Sequence, residues 1–396
     1  MKRKKIIGFL LICISVLISC NSNQQNFNNA FTFIAAADMR FYATEKYRTS
    51  QHFLGAVEAI KRVGAGAFMI SPGDIDPPRA VREVIDQVLG KDYLWYPTAG
   101  NHELEAAEYM DWLRKYNRGG TTLPNIIRKG PPGCEETTYS FDYGSCHFVA
   151  LNQYYDGGSD TGTDGDIIPE LLEWLEMDLT LNTKKHIFVY GHEPIISLPD
   201  MDNGRVRHQG DSLDKYGDNA FAFLQLLLRY HVTAYICGHT HSTSFGNING
   251  LWQIDVGHSR GIEENSAPEI LIKEISEVVE KNADQGIGEE EAIREFYQIN
   301  KKQVNKALHH MRLAPGDTYE EIQFGPGLQG LYTFYFDYKK GGTLREKHVR
   351  TFWENSMYRK SSFVKFYVKD DGVKVEFYRD DAHGGAYSLR QTLIVE

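Results

Sequence analysis

The chain has 396 residues, of which 42% are hydrophobic, 24% charged and 12% aromatic, with 36 glycines and 13 prolines. That composition suits a globular protein with enough apolar side chains for a full core, and it excludes collagen-like, disordered and multi-span membrane classes. The formal charge is −10, from 53 acidic and 43 basic residues, which disfavours wrapping a polyanion, so no nucleic-acid partner is expected. Lys2, Arg3, Lys4 and Lys5 all lie at the extreme N-terminus, and without them the balance is 39 basic to 53 acidic, a charge of about −14.

Residues 1–20 read MKRKKIIGFLLICISVLISC: a basic cluster, an apolar run from Ile6 to Leu17, then Ile18, Ser19 and Cys20. The run is too short for a stable spanning helix and reads as a secretory signal. Its end resembles a bacterial lipobox, which implies a signal peptide over 1–19, a lipid on Cys20, and attachment to a membrane of the bacterial cell envelope, periplasmic or surface-facing. Residues 20–30 are polar and low in complexity, as befits a tether. The folded domain is expected over 31–396. Of the five cysteines, this leaves Cys134, Cys146 and Cys237. A hairpin turning near Tyr143-Gly144 would set Cys146 opposite Phe141, so a Cys134–Cys146 disulfide needs the chain before Thr137 to fold back.

Helical and strand patterns then alternate. Residues 45–62 carry Phe53, Val57 and Ile60 at helical spacing, and AFMISPGD reads as a buried strand. A helix over 78–89 precedes the strand LWYPTAGNHE, one over 168–181 precedes HIFVYGHEP, and one over 219–230 precedes VTAYICGHTH. This βαβ-like succession predicts a mainly parallel sheet, with ligands bound at the carboxyl ends of its strands. TTYSFDYGSCHFVALN and FGNINGLWQIDVG read as hairpins, and LYTFYFDY, SFVKFYVKDDGVKVEFYRD and YSLRQTLIVE as terminal strands within about 331–396. Residues 263–316 are charged and helical, with Ile293, Phe296, Val304 and Leu308 on one stripe, and read as a helical insertion. The Gly-Asp loop 156–166 fails as a calcium loop, because Gly162 and Leu171 stand where oxygen ligands belong, and it reads as a flexible surface loop.

Small polar clusters follow the strands: Asp38-Met39-Arg40, Gly73-Asp74, Gly100-Asn101-His102-Glu103, Gly191-His192-Glu193 and Gly238-His239-Thr240-His241. Carboxylate, amide and imidazole donors without cysteine suit Mn, Fe or Zn, and such a set can hold two ions that activate water and neutralise a leaving oxygen. The preceding glycines are expected to turn the backbone sharply off the strand. Taken singly, Asp38 or Asp74 reads as a cap or turn residue and His192 as a satisfied core histidine; the joint order of the set overrides those readings. His258 and the His309-His310 pair read as structural.

The whole set resembles the calcineurin-like metallophosphoesterases, and in part the purple acid phosphatases, over about 31–262 and the terminal strands. The resemblance implies an α/β fold, a four-layer αββα sandwich of two mixed sheets. It implies that Asp74 bridges two metal ions, that Asn101, His192 and His239 hold the second, and that Asp38 and His241 hold the first. His102 would protonate the leaving oxygen, and Glu103 would fix geometry. The departure is Arg40, which stands where the family's first motif has a histidine ligand and has no lone pair to give. Pro77 stands where a purple acid phosphatase would supply tyrosine. Three explanations are open: a ligand from Tyr42, Asp76, His52 or His208; one firmly held ion with Arg40 gripping the substrate phosphate; or a dead first site. The expected activity is metal-dependent hydrolysis of a small phosphomonoester or phosphodiester by a metal-held hydroxide. The rival is a lipid-anchored binding or structural protein on a degenerate version of the same fold.

Overall fold

The structure is a computed structural model and describes residues 30–202, 204, 206–261, 267–312, 327–339, 360–380 and 386–395. The leader and Cys20 lie outside the described residues. The strands are β1 (Phe31–Ala35), β2 (Phe68–Pro72), β3 (Leu94–Thr98), β4 (Ile126–Lys129), β5 (Tyr139–Tyr143), β6 (Cys146–Ala150), β7 (His186–Tyr190), β8 (Ala234–Cys237), β9 (Thr243–Ile248), β10 (Leu251–Val256), β11 (Ser362–Lys369), β12 (Gly372–Arg379) and β13 (Ser388–Ile394). The helices are α1 (Phe53–Val63), α2 (Pro78–Leu89), α3 (Ala107–Tyr116), α4 (Pro169–Leu181), α5 (Gly217–Arg229), α6 (Ala267–Ala283), α7 (Glu289–Arg312) and α8 (Gly327–Lys339).

Two mixed sheets form, in the orders β13-β12-β11-β1-β2-β3 and β4-β5-β6-β7-β8-β10-β9. Parallel pairing is confined to β1-β2-β3 in the first sheet and β6-β7-β8-β10 in the second. Crossover helices join most of these strands, whereas the flanking pairs are hairpins or a terminal addition. Each sheet therefore has a parallel interior, which is what the alternating pattern reported, and antiparallel margins.

Three apolar clusters mark the four layers. Phe33, Phe68, Phe148, Phe188 and Phe366 meet between the sheets, with Phe33 and Phe366 stacked at 4.5 Å. Ile34, Val57, Ile60, Val84, Trp95 and Leu113 join the outer face of the first sheet to α1, α2 and α3, and Val149, Leu175, Val189, Phe223 and Tyr235 join the second sheet to α4 and α5. Alternation along each strand sends successive side chains to these two interfaces, so the strands are buried on both faces and read as apolar runs.

Several expectations are corrected. LYTFYFDY is not a strand but most of α8, where Leu331, Phe334 and Tyr335 are buried at i, i+3 and i+4 against Ile275 of α6 and Ile293 and Val304 of α7. The expected helix over 45–62 begins at Phe53, after two short 3-10 turns. The β5–β6 hairpin pairs Tyr143 with Cys146 and Phe141 with Phe148, a tighter register than expected. Among the described residues Cys134, Cys146 and Cys237 are buried and form no disulfide, with the Cys134 sulfur held near Thr137 and Thr138. The 156–166 loop is pinned, with Asp160 taking Arg114 and Asp164 taking Lys215. Among the described residues no helix is long and apolar enough to cross a membrane.

Candidate metal centre

Five parallel strands deliver the site from their carboxyl ends: β1 leads to Asp38, β2 to Asp74, β3 to Asn101 and His102, β7 to His192, and β8 to His239 and His241. The backbone device is only in part the one expected: Gly73 turns the chain before Asp74 with φ 87°, but glycine does not do the same before the other ligands. Asp38, Asp74, His239 and His241 themselves adopt left-handed φ values of 55°, 54°, 67° and 56°, a region costly for side chains other than glycine. Gly100, with φ −111°, instead makes room: a Cβ there would sit 2.4 Å from Asp74 Oδ1.

Asp38, Asp74 and His192 are buried and place one ligand atom each within 4.8 Å of one another. His192 Nδ1 donates to the Pro72 carbonyl at 2.9 Å, which turns Nε2 inward. Around that Nε2 stand Asn101 Oδ1 at 3.0 Å, His239 Nδ1 at 3.2 Å and Asp74 Oδ1 at 3.3 Å. One proton on Nε2 cannot serve three acceptors, whereas a cation between these four donors would satisfy all of them. The second half-site therefore fits a metal ion, which Asp74, Asn101, His192 and His239 could hold.

The first half-site fits less well. His241 Nε2 lies 3.2 Å from Asp38 Oδ1, an oxygen that is buried and accepts no hydrogen bond. The Arg260 guanidinium lies across the His241 ring, its Nη2 2.8 Å from Nε2 and 3.3 Å from Nδ1. The proposed substitute ligands have these contacts: Asp76 faces Arg40 Nε at 3.6 Å, His208 packs on His239, and Tyr42 packs against His52 and the Arg260 cation. Arg40 is turned towards Asp76 and Glu105, each at 3.6 Å.

His102 borders the cluster without joining it. Its Nδ1 is 2.6 Å from Glu105 Oε1 and its Nε2 3.6 Å from Asp74 Oδ2. Glu103 holds the frame: its carboxylate accepts the backbone N–H of Gly100 at 2.6 Å, Asp74 at 2.9 Å and Ile75 at 2.7 Å, which ties β2's exit to β3's.

The charges are strongly coupled. Burial pushes Asp38 up to about 7, helped by Asp74 and opposed by His192 and Arg260. Burial also acts on Asp74, but the His192 charge and hydrogen bond, with His102 and His239, hold it below the usual carboxylate range. His192 is pushed up to about 10, because Asp74 and Asp38 outweigh its burial. Burial and then the charge of His192 hold His239 well below the ordinary imidazole value, and burial and then Arg260 do the same to His241. Without metal the cluster thus binds a proton where a cation fits, so metal uptake competes with that proton.

Arg260 and Glu105 were missed by sequence reasoning. Arg260 follows β10 in the segment Gly257-His258-Ser259-Arg260, which repeats the pattern of an apolar strand followed by Gly-His seen at His192 and His239.

The calcineurin-like phosphoesterase family model matches residues 34–243. The chain belongs to that family. No curated protein matches the chain. Among solved structures it is similar to GAP50, the anchor in the inner membrane complex of Plasmodium, at 17% identity and TM-score 0.38, covering 58% of this chain and 72% of that one. It is similar to PhoD at 11% identity and TM-score 0.49, covering 92% and 69% respectively. It is also similar to the phosphopantetheinyl hydrolase of Mycobacterium tuberculosis, at 13% identity and TM-score 0.31, covering 58% and 90%.

Proposed function

We propose that the protein hydrolyses a small phosphomonoester or phosphodiester in a metal-dependent reaction, tethered through a lipid on Cys20 to a membrane of the bacterial cell envelope. The observation that carries the hydrolytic reading is the convergence of Asp74, Asn101, His192 and His239 on one point short of protons. Metal bound there would polarise the phosphoryl group and supply activated water. The chain's own part is positional. Glu103 fixes the backbone that presents Asp74 and Asn101, and the Pro72 carbonyl fixes the His192 tautomer.

His102 Nδ1 is engaged by Glu105, which leaves Nε2 on the site side as the atom that would carry the proton to the leaving oxygen. Burial lowers the His102 pKa, with Asp74 pulling against it. The test is hydrolysis of a chromogenic phosphomonoester and phosphodiester with added Mn, Fe or Zn. His102→Ala should lower turnover roughly 10²–10⁴-fold with metal content unchanged; a drop of less than tenfold removes His102 from the reaction.

The second reading, a binding or structural protein on the same fold, draws support from Arg40, which offers no ligand to the first half-site, and from Arg260, which lies against His241. Absence of hydrolysis on both esters with every metal, from protein that binds metal, would favour it.

A further inference from the structure

The first half-site holds a positive charge of its own. Arg260 is only 5% exposed, and it arrives from β10 through Gly257, whose φ of 71° turns the chain towards the site. The segment is pinned on both sides. Ser259 N donates to the Ala37 carbonyl at 2.9 Å, Ser259 Oγ to the Ser362 carbonyl at 2.5 Å, and Gly261 N to Ser361 Oγ at 3.0 Å. From that platform Arg260 Nε donates to the Asp38 carbonyl at 3.3 Å, while Nη2 rests on the His241 ring. The guanidinium therefore touches both residues that the family resemblance assigns to the first ion.

We propose that Arg260 is the built-in cation of the first half-site, so that the centre holds one metal ion, on Asp74, Asn101, His192 and His239, with a guanidinium in place of the other. The inference rests on the metal-dependent reading above and deepens it. An arginine stays protonated under all working conditions and offers a fork of donors suited to phosphate oxygens. A divalent ion placed between Asp38 and His241 would face that fixed charge at close range, with little water between to screen it. Arg40 fits the same picture from the opposite direction: it supplies no ligand to the first ion, and its own guanidinium is turned to Asp76 and Glu105. The buried cation facing the reacting phosphate is then Arg260 rather than Arg40.

The experiment is metal stoichiometry of the full chain by elemental analysis after equilibration with Mn or Zn, with titration to obtain the affinity of any second ion. Wild type should bind one ion per chain, with a second at least about 100-fold weaker. Arg260→Met, which keeps the volume and removes the charge, should strengthen the second site at least tenfold and move stoichiometry towards two, while Arg260→Lys should stay at one. Two ions of similar affinity in wild type, or a folded Arg260→Met that still takes only one, overturns the inference and leaves the metal-dependent reading standing. No ion at all in folded wild type overturns both. Should Arg260→Met not fold, His241→Ala decides the matter: it should retain the single ion within about threefold, and loss of that ion shows that the first half-site was metal-bearing after all.

Discussion

Replacing Glu103 by Gln tests how the site is built, because the substitution keeps shape and removes charge. Glu103 is fully buried, and its two oxygens accept three backbone N–H groups, those of Gly100 and Asp74 on Oε2 and that of Ile75 on Oε1. Glutamine offers one acceptor oxygen and an NH₂ group. Whichever way the amide is placed, at least one buried N–H loses its acceptor and faces another donor. An orphaned buried donor costs about 1–3 kcal/mol, and a hydrogen bond to a charged acceptor contributes about 1.5–3 kcal/mol. The expected loss is thus about 2–4 kcal/mol of folding stability, read from urea unfolding followed by far-ultraviolet circular dichroism. Burial and the charges of Asp74 and Asp76 push Glu103 well above the usual carboxylate range, so part of the cost of keeping it ionised disappears in Gln; this sets the lower end of the interval. Metal affinity should fall at least tenfold, since the Asp74 and Gly100 amides lose their common anchor. A variant within 0.5 kcal/mol of wild type, a change of the size found at ordinary surface positions, would refute the argument that this carboxylate holds the two strand exits together.

Two further outcomes are expected. His147 lies between Asp142 at 2.8 Å and Asp178 at 2.7 Å, and although burial opposes its charge, these hydrogen bonds raise its pKa from 6.5 to about 9. Its contribution, about 3 kcal/mol from a shift of that size, is complete below pH 6.5 and declines as pH rises through 9, so the stability gap between wild type and His147→Gln should narrow between pH 6 and 9.5; a gap that stays constant with pH excludes a charged His147. Gly100→Ala would set a Cβ 2.4 Å from Asp74 Oδ1 and 2.5 Å from Asp74 N, so thermal unfolding should show a loss of about 1–3 kcal/mol, as overpacking costs, and a weaker stabilisation by added Mn than in wild type; an unchanged response to Mn would mean that Gly100 is not needed for close approach.

The site was legible where an apolar run ended abruptly in a Gly–polar cluster, because a strand buried on both faces must be apolar and its exit must not be. Asp74, Asn101, His192, His239 and His241 announce themselves in this way, Asp38 does so without the glycine, and the structure brings them together at one strand-end cluster. Arg260 carries the same signal but was hidden by its chemistry, since an arginine does not read as part of a ligand set. Glu105 was hidden by its place in a short 3-10 turn, where no periodicity marks a facing side. The fold was legible in its parallel interior and its hairpins. It was misread at 331–338, where aromatic residues with high strand propensity outweighed the helical spacing of Leu331, Phe334 and Tyr335. Helix α3 has only Met110 and Leu113 fully buried, and β4 is a four-residue edge strand; neither carries enough pattern to be seen.

The left-handed backbone at Asp38, Asp74, His239 and His241 has a consequence for how the sequence can drift. Each of these residues sits in a conformation that costs of order 1–3 kcal/mol and that glycine, and to a lesser degree asparagine, would occupy more comfortably. Backbone conformation by itself favours glycine at all four. Relaxation of the working site would therefore be recorded as glycines at 38, 74, 239 and 241, and the Asp and His side chains that stand there instead mark, within this single sequence, the positions where folding is subordinate to the chemistry.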